Sequence, residues 1–181
     1  ASSSLTFKST DYLRFLPAAN WNGSAPTLTV ALIDSSTTVT TNATVDVSTR
    51  GGTTAYSSST VTLSNTVNAV NDAPTIISST AALDAVNEDS TPSGATVSSL
   101  FSSNFSDSTD TVSGGSSANT LAGIAITSYT RDATKGEWQY STNGSSWTTI
   151  GSSISAASSS LTFKSTDYLR FLPAANWNGS A

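Results

Sequence analysis

The sequence repeats itself. Residues 1–25 and residues 157–181 both read ASSSLTFKSTDYLRFLPAANWNGSA, identical at every position, and the second copy begins 156 residues after the first. Self-similarity at a fixed interval is typical of proteins built as arrays of one structural unit. The chain therefore corresponds to one period of a tandem array plus an overlap of 25 residues. Repeated modules of this kind usually supply length and copy number.

The composition favours strands and argues against several functions. Ser and Thr make up more than a third of the residues, and charged residues only 10%. Abundant Thr and Val favour strands, and sparse charge disfavours exposed helices. The net charge of −5 argues against nucleic-acid binding, which requires a basic surface. No apolar run approaches the roughly 20 residues that span a bilayer, so we expect no membrane insertion in this segment.

The chain contains no His, no Cys and no Met. Without His, a nucleophilic Ser lacks its usual general base, and without Cys there is neither thiol chemistry nor a disulfide. We therefore predict that the protein is not an enzyme. A secreted protein without disulfides needs another source of stability, and bound cations are the obvious candidate.

Short apolar alternations separated by turn residues run along the chain. In residues 27–34, Leu28, Val30 and Leu32 alternate with other side chains and predict one buried sheet face. No segment has a convincing helical period. The sequence thus predicts an all-β fold, an antiparallel β-sandwich. The expected strands include residues 5–7, 12–16, 27–34, 60–70, 75–77, 83–86 and 121–127.

A hairpin is predicted near the second copy of the repeat. Asn143-Gly144 lies between two aromatic segments, and Asn-Gly accepts the positive φ angles of a type I′ turn. A two-residue loop at this point pairs Tyr140 with Trp147 and Trp138 with Thr149. The aromatic side chains would then share one face of the sheet.

The best candidate for a module boundary is Asn71-Asp72-Ala73-Pro74, because Pro74 biases the preceding residue toward an extended conformation. Residues 1–73 are then the C-terminal part of one module and residues 74–181 the N-terminal part of the next. The second part lacks counterparts of residues 26–73. Either the segment is cut from a longer polymer, or another chain supplies the strands by strand donation.

Four motifs carry a resemblance to a known family. Val70-Asn71-Asp72-Ala73-Pro74-Thr75 resembles the Val-Asn-Asp-Ala-Pro signature between cadherin-like repeats of giant bacterial adhesins. Residues 13–23 (LRFLPAANWNG) are similar to the "F-x-P-x-x-N-x-N-G" segment of those modules. Asn87-Glu88-Asp89-Ser90 and Phe105-Ser106-Asp107 match their early acidic loop and their "F-S-D" loop. In this order the motifs span essentially the whole period.

The resemblance implies an immunoglobulin-like, cadherin-type β-sandwich in a tandem array. It implies a long extracellular protein, secreted or on the bacterial cell surface, with calcium bound near the junctions between modules. Its partners would be neighbouring repeats of the same protein and other copies of itself. Family members often carry Asp-x-Asp strings in these loops. Here the loops contain Asp107-Ser108-Thr109-Asp110 and Asp34-Ser35-Ser36, so fewer carboxylates are available.

Calcium takes roughly six to eight oxygen ligands from carboxylates, carbonyls and waters. Oxygen-bearing side chains in predicted loops or at strand ends could be gathered at one pole of a sandwich. The alternative is that they are solvated turn residues, because Asp and Asn favour turns in any case. The candidate ligands are Asp34, Asn71, Asp72, Glu88, Asp89 and Asp107.

We predict a structural extender repeat of a large adhesin or fibre, stiffened by calcium where modules meet. One alternative is a carbohydrate-binding β-sandwich that uses aromatics such as Trp21, Trp138 and Trp147. A solvent-exposed, coplanar Trp pair beside a groove would favour it. The other is a self-assembling filament subunit joined by strand donation, which an inter-chain sheet would favour.

Overall fold

The structure is a computed structural model that describes residues 3–155 and 160–180. Strands make up 31% of it and helix 6%, which confirms a β-rich fold. Within the second copy of the repeat, residues 157–159 and 181 lie outside the described residues.

The strands are short and antiparallel. In chain order they are β1 (Ser4–Thr6), β2 (Gly23–Ser24), β3 (Leu28–Ile33), β4 (Ala43–Val45), β5 (Tyr56–Leu63), β6 (Thr66–Val67), β7 (Thr75–Ile76), β8 (Ala95–Thr96), β9 (Phe105–Ser106), β10 (Gly123–Ile126), β11 (Gly136–Ser141), β12 (Thr148–Thr149), β13 (Leu161–Lys164) and β14 (Tyr168–Pro173). The helix α1 (Val97–Phe101) follows β8, and 3-10 turns lie at Ser102–Asn104 and Ser108–Asp110.

The chain divides into two compact units. The first comprises Ala1–Asn71 and Thr109–Ser117, and the second comprises Asp72–Ser108 and Ala118–Ala181. Thr109–Ser117 packs with the first unit, where Ser116 Oγ accepts from Asn22 Nδ2 at 2.8 Å and its N–H donates to Asn22 Oδ1 at 2.7 Å. The position of the boundary between the 156-residue modules, near residues 71–74, stays a prediction.

The first unit holds three two-stranded sheets, β1–β4, β2–β6 and β3–β5. Among its described residues, Ala25 is the only buried apolar side chain. The expected buried face of β3 is open: Leu28 is 51% and Leu32 58% exposed, and Leu63, the partner of Leu28 on β5, is 51% exposed. The alternation predicted the strand correctly, but within the described part of this unit Leu28 and Leu32 stay exposed and Val30 is only half-buried.

The second unit has a core. Its main sheet has the order β12-β11-β14-β8, beside the pairs β10–β13 and β7–β9. Four apolar side chains pack together at exposures of 8% or less: Val97, Ile150, Phe163 and Leu169. Two of them, Phe163 and Leu169, come from the second copy of the repeat, which therefore supplies half of this cluster.

The helix α1 contradicts the expectation of an entirely strand-built chain. Thr96 caps it, since its Oγ1 accepts a hydrogen bond from the Ser99 N–H at 3.0 Å. A capping Thr satisfies one of the free N–H groups of the first turn. Val97 is then fully buried against the core, so tertiary packing rather than helical periodicity selects this turn.

The hairpin forms, but its predicted register is wrong by one residue. Tyr140 pairs with Thr148, and Gln139 with Thr149. The Asn143 Oδ1 accepts from the N–H groups of Ser145 and Ser146 at 2.9 and 2.8 Å, which stabilises a longer loop. A one-residue shift moves side chains to the other face of the sheet. Trp147 therefore does not share a face with Tyr140.

The first copy of the repeat contains a further correction. Residues 12–16 form no strand, although the identical residues 168–172 lie within β14. In the second unit β14 pairs with β11 along one edge and with β8 along the other. The first unit offers this segment no strand partner among its described residues. Residues 83–86 also form no strand.

Candidate functional site

Two of the six predicted ligands, Glu88 and Asp89, meet the Asn-rich loop of the second copy. The Asn176 N–H donates to Asp89 Oδ1 at 2.9 Å, and Asn178 Nδ2 donates to Glu88 Oε2 at 3.2 Å. Asp89 and Asn176 have positive φ angles of 62° and 55°. Asp and Asn tolerate this left-handed backbone better than other side chains do. The loop geometry thus brings two carboxylates and two Asn residues to one place.

Asp107 is the buried member of the predicted set. It follows β9 and is 6% exposed, and its Oδ2 accepts a hydrogen bond from the Asn119 N–H at 2.6 Å. A buried carboxylate requires such partners, because desolvation disfavours the charged form. The hydrogen bond closes the loop between Asp107 and Asn119.

The remaining three candidates lie elsewhere. Asp34 is exposed after β3, and its Oδ1 accepts from the Ser36 hydroxyl at 2.5 Å and from the Ser36 N–H at 2.8 Å. These bonds, the hydroxyl first, lower the pKa of Asp34 below its usual value of 3.8. Asn71 is exposed and Asp72 half-buried, at the division between the units.

The carboxylate oxygens of Glu88 and Asp89 are of the type that calcium binds, but two carboxylates are fewer than a complete calcium site needs. Within residues 3–155 and 160–180, no three side chains among His, Cys, Asp and Glu lie close enough together to hold a metal ion. Calcium prefers hard oxygen donors, which Glu88 and Asp89 provide. An ion bound there would need amide, carbonyl or water oxygens to complete its shell.

An aromatic cluster lies beside the same loop of the second unit. Phe171 packs edge-to-face against Trp138 on one side and Trp177 on the other, with ring centroids 5.6 and 5.7 Å apart and interplanar angles of 63° and 66°. These rings line an open groove with a volume of about 660 Å³, together with Glu88 and Asn178. Each of the two Trp rings is thus tilted against the Phe171 ring that lies between them in the series of contacts.

Arg170, on β14, contacts three other segments of the second unit. It is 9% exposed, its Nε donates to Gln139 Oε1 at 2.7 Å, and a terminal nitrogen donates to the Pro92 carbonyl at 2.9 Å. Its guanidinium lies 4.1 Å from the centre of the Trp147 ring, within cation–π range. Burial lowers the pKa of Arg170. These contacts join β14 to β11 and to the segments that precede β8 and β12.

Sequence reasoning did not select Asn176 and Asn178 as site residues. A signal was present, because both belong to the Ala-Asn-Trp-Asn-Gly segment that occurs in each copy of the repeat. Their partners Glu88 and Asp89 lie far away along the chain, so only the folded chain shows the contact.

In the part of the chain that the structure describes, none of the helices is long and apolar enough to pass through a membrane. No protein-family model, no curated protein and no solved structure matches the chain.

Proposed function

We propose that this chain belongs to a structural extender repeat of a large extracellular bacterial adhesin or fibre, secreted or held at the cell surface. The observation that carries the proposal is the identity of residues 1–25 and 157–181 at an interval of 156 residues. Exact repetition of a β-rich unit favours a function in which copy number sets length. Neighbouring repeats are the proposed partners.

We further propose an immunoglobulin-like, cadherin-type β-sandwich for the complete module. The four motifs of the resemblance support it, together with the antiparallel pairing of every strand pair in the described residues. A carbohydrate-binding β-sandwich is the alternative proposal, with Trp138 and Trp177 lining the open groove of the second unit.

Calcium is the proposed stiffening ion, with Glu88 and Asp89 as its first ligands. Two observations support this choice of ligands: both side chains are exposed, and each accepts a hydrogen bond from the Asn-rich loop. Asn178 could turn its amide oxygen toward an ion shared with Glu88. Binding there would join the loop after β14 to the acidic loop before β8.

Small-angle X-ray scattering from tandem chains of two, four and six periods tests the extender function. The maximum dimension should rise by a constant increment with each added period, because an array grows along one axis. A compact particle would instead grow only as about the 0.38 power of chain length. That weaker growth would rule out an extender.

Thermal unfolding of the 181-residue chain tests calcium. Melting is compared in a chelator, in magnesium and in calcium, for the parent chain and for the E88Q/D89N variant. A ligand present at 100 times its Kd stabilises by about 2.7 kcal/mol, enough to raise the Tm by several degrees. We expect this rise only in calcium and only in the parent chain.

The D84N/D132N variant is the matched control, because it removes the same negative charge from exposed positions of the second unit. It should keep the calcium response. An identical Tm for the parent chain with calcium and with chelator would show the calcium mechanism to be wrong.

A further inference from the structure

We infer that the second unit is completed by the copy of residues 26–73 that follows it in the array. That copy adds its β4 to the second edge of β13, and the apolar face of its β3–β5 pair covers the open groove. The completion rests on the proposed tandem array, in which residues 26–73 follow each 25-residue segment. It requires neither calcium nor a second chain.

The strands β1 and β13 have the same sequence but pair through opposite edges. In the first unit β1 pairs with β4, and the Thr6 carbonyl accepts from the Asn42 N–H at 2.7 Å. Among the described residues β13 pairs with β10 alone, and the Ser165 N–H donates to the Ala122 carbonyl at 2.7 Å. Backbone groups alternate between the two edges of a strand. Even-numbered residues of this strand therefore point to β4 and odd-numbered residues to β10, so one strand can pair with both.

The side chains of this strand follow the same rule. Thr6 is 6% exposed and its hydroxyl donates to the Thr40 carbonyl at 2.7 Å, whereas the equivalent Thr162 is exposed. Phe163 is 8% exposed in the core of the second unit, whereas the equivalent Phe7 is 41% exposed. Each copy has the neighbours that the other lacks. When the chain continues past β13 into β4, one copy gains both sets, so strand pairs and buried area are added and none is exchanged.

The open groove of the second unit continues its core. Tyr140 and Leu169 lie opposite each other in the β11–β14 pair, and the Phe163 ring packs against Tyr140 with centroids 4.9 Å apart. Trp138 and Phe171 lie opposite each other two residues further along, on the same face because side chains alternate. Both line the groove of about 660 Å³. One end of this sheet face is thus covered by β13, and the other end is open.

The β3–β5 pair has an apolar face that fits this position. Leu28 lies opposite Leu63 in the pair. Val30 lies opposite Val61, and alternation places all four side chains on one face. Leu28 and Leu63 are each 51% exposed and Val61 is 50% exposed, although a two-stranded pair needs packing on one face to be stable. Contact between this face and the groove removes two apolar surfaces from water.

The path of the chain selects this occupant. Ser180, the equivalent of Ser24, lines the groove. Leu28 follows Ser24 by four residues, so its next copy lies within about 14 Å of Ser180. A tethered segment binds at a high effective concentration, which favours it over the same face of a separate chain.

Disulfide trapping tests the strand pair, since the chain has no native Cys. The protein used is the 181-residue chain followed directly by a second copy of residues 26–73, called the added copy. Leu5 pairs with Thr44 in the first unit, so Leu161 should pair with Thr44 of the added copy. Antiparallel partners have Cα atoms about 5 Å apart, within the range of a disulfide.

We expect L161C with T44C of the added copy to form at least fivefold more disulfide within one molecule than T162C with the same T44C. A shift of one residue turns the Cys to the other face of the sheet. L5C with T44C of the original copy is the positive control, because that pair is already formed. If this control oxidises and L161C does not exceed T162C, the inference is wrong. A disulfide-linked dimer of the L161C variant would also overturn it, because the strand would then come from another chain.

Thermal unfolding followed by Trp fluorescence tests whether the groove is covered. Asp replaces Leu28 either in the added copy or in the original copy. In the added copy L28D should lower the Tm by more than about 4 °C, because it places a charge against an apolar groove. In the original copy Leu28 is exposed, and the same change should shift the Tm by less than about 2 °C.

Equal shifts from the two L28D variants would show that the added copy leaves the groove open and would overturn this part of the inference. The extender function would still stand, because a constant increment in length per period does not depend on how the added copy packs. Conversely, compact growth in scattering would remove the extender function and leave the disulfide result intact.

Discussion

The two copies of the repeat have one sequence and two structures. The turn before the aromatic segment is the same in both: the Lys8 N–H donates to Asp11 Oδ2 at 2.7 Å, and the Lys164 N–H donates to Asp167 Oδ2 at 2.8 Å. Phe15 and Trp21 also keep the edge-to-face contact of their later copies, with centroids 5.6 Å apart against 5.7 Å. Local sequence is sufficient for these features.

The strands between those features differ. Leu13 is 51% exposed and Leu169 is 5% exposed, although their neighbours along the chain are identical. Only Leu169 has β11 and β8 beside it. The comparison separates what a segment determines by itself from what its partners determine. Turns and ring contacts belong to the first class, and strand formation and burial to the second.

The largest expected difference between the copies is in Leu→Ala substitutions. Leu169→Ala should lower the free energy of unfolding by about 2–5 kcal/mol, because it leaves a cavity in the core. Leu13→Ala should change it by less than about 0.5 kcal/mol at concentrations where the chain is monomeric. Denaturation followed by Trp fluorescence reports mainly on the second unit, which holds three of the four Trp residues. Equal losses at the two positions would contradict the difference in burial.

Arg→Ala substitutions should show a smaller difference. Arg170→Ala removes hydrogen bonds to Gln139 and Pro92 and the contact with Trp147, and we expect a loss of about 1–3 kcal/mol. Arg14 is exposed, and its substitution should cost less than about 0.5 kcal/mol. The same denaturation series measures both. Rescue of Arg170→Ala by Lys should be incomplete, because ammonium cannot make the planar contacts of guanidinium.

The smallest effect concerns the turn that both copies share. The Thr41 hydroxyl donates to Asp11 Oδ2 at 2.7 Å and lowers the pKa of Asp11, with a further contribution from the Lys8 N–H. Because the folded pKa lies below the unfolded one, the carboxylate's contribution to stability is present above the unfolded pKa. It is lost as the pH falls through the lowered folded pKa. Carboxyl NMR titration should place the Asp11 midpoint below 3.8, and Thr41→Ala should move it back toward that value. An unchanged midpoint in the variant would exclude this hydrogen bond as the cause.

Much of the fold follows from local pattern. The alternation of residues 27–34 predicts β3, and residues 121–127 contain β10. The strand at residues 12–16 could not be assigned correctly from local sequence, because the same residues form a strand in one copy and none in the other. Any local rule gives both copies the same answer. The hairpin shows a second limit: the Asn143 side chain accepts two hydrogen bonds within a loop longer than the two-residue turn that Asn-Gly predicts.

For the candidate site, too, local sequence predicts the loop but not its distant contacts. The sequence indicates that Glu88 and Asp89 lie in an acidic loop, and both are in a turn region outside the strands. Their contacts with Asn178 and Asn176 join parts of the chain that are remote in sequence. A pattern read along one segment identifies the carboxylates, but it contains no information about which distant loop reaches them.

The shared turn also has a consequence for the order of folding. The hydrogen bond between the Lys164 N–H and Asp167 joins residues three apart, and its earlier copy forms although residues 12–16 are in no strand. Closing a loop this short is fast, whereas the pairing of β14 with β8 must wait for distant residues to meet. We therefore expect the Lys164–Asp167 turn to be already formed in the transition state between the unfolded and folded chain. Asp167→Asn should then slow refolding more than it accelerates unfolding, in stopped-flow measurements of both rates.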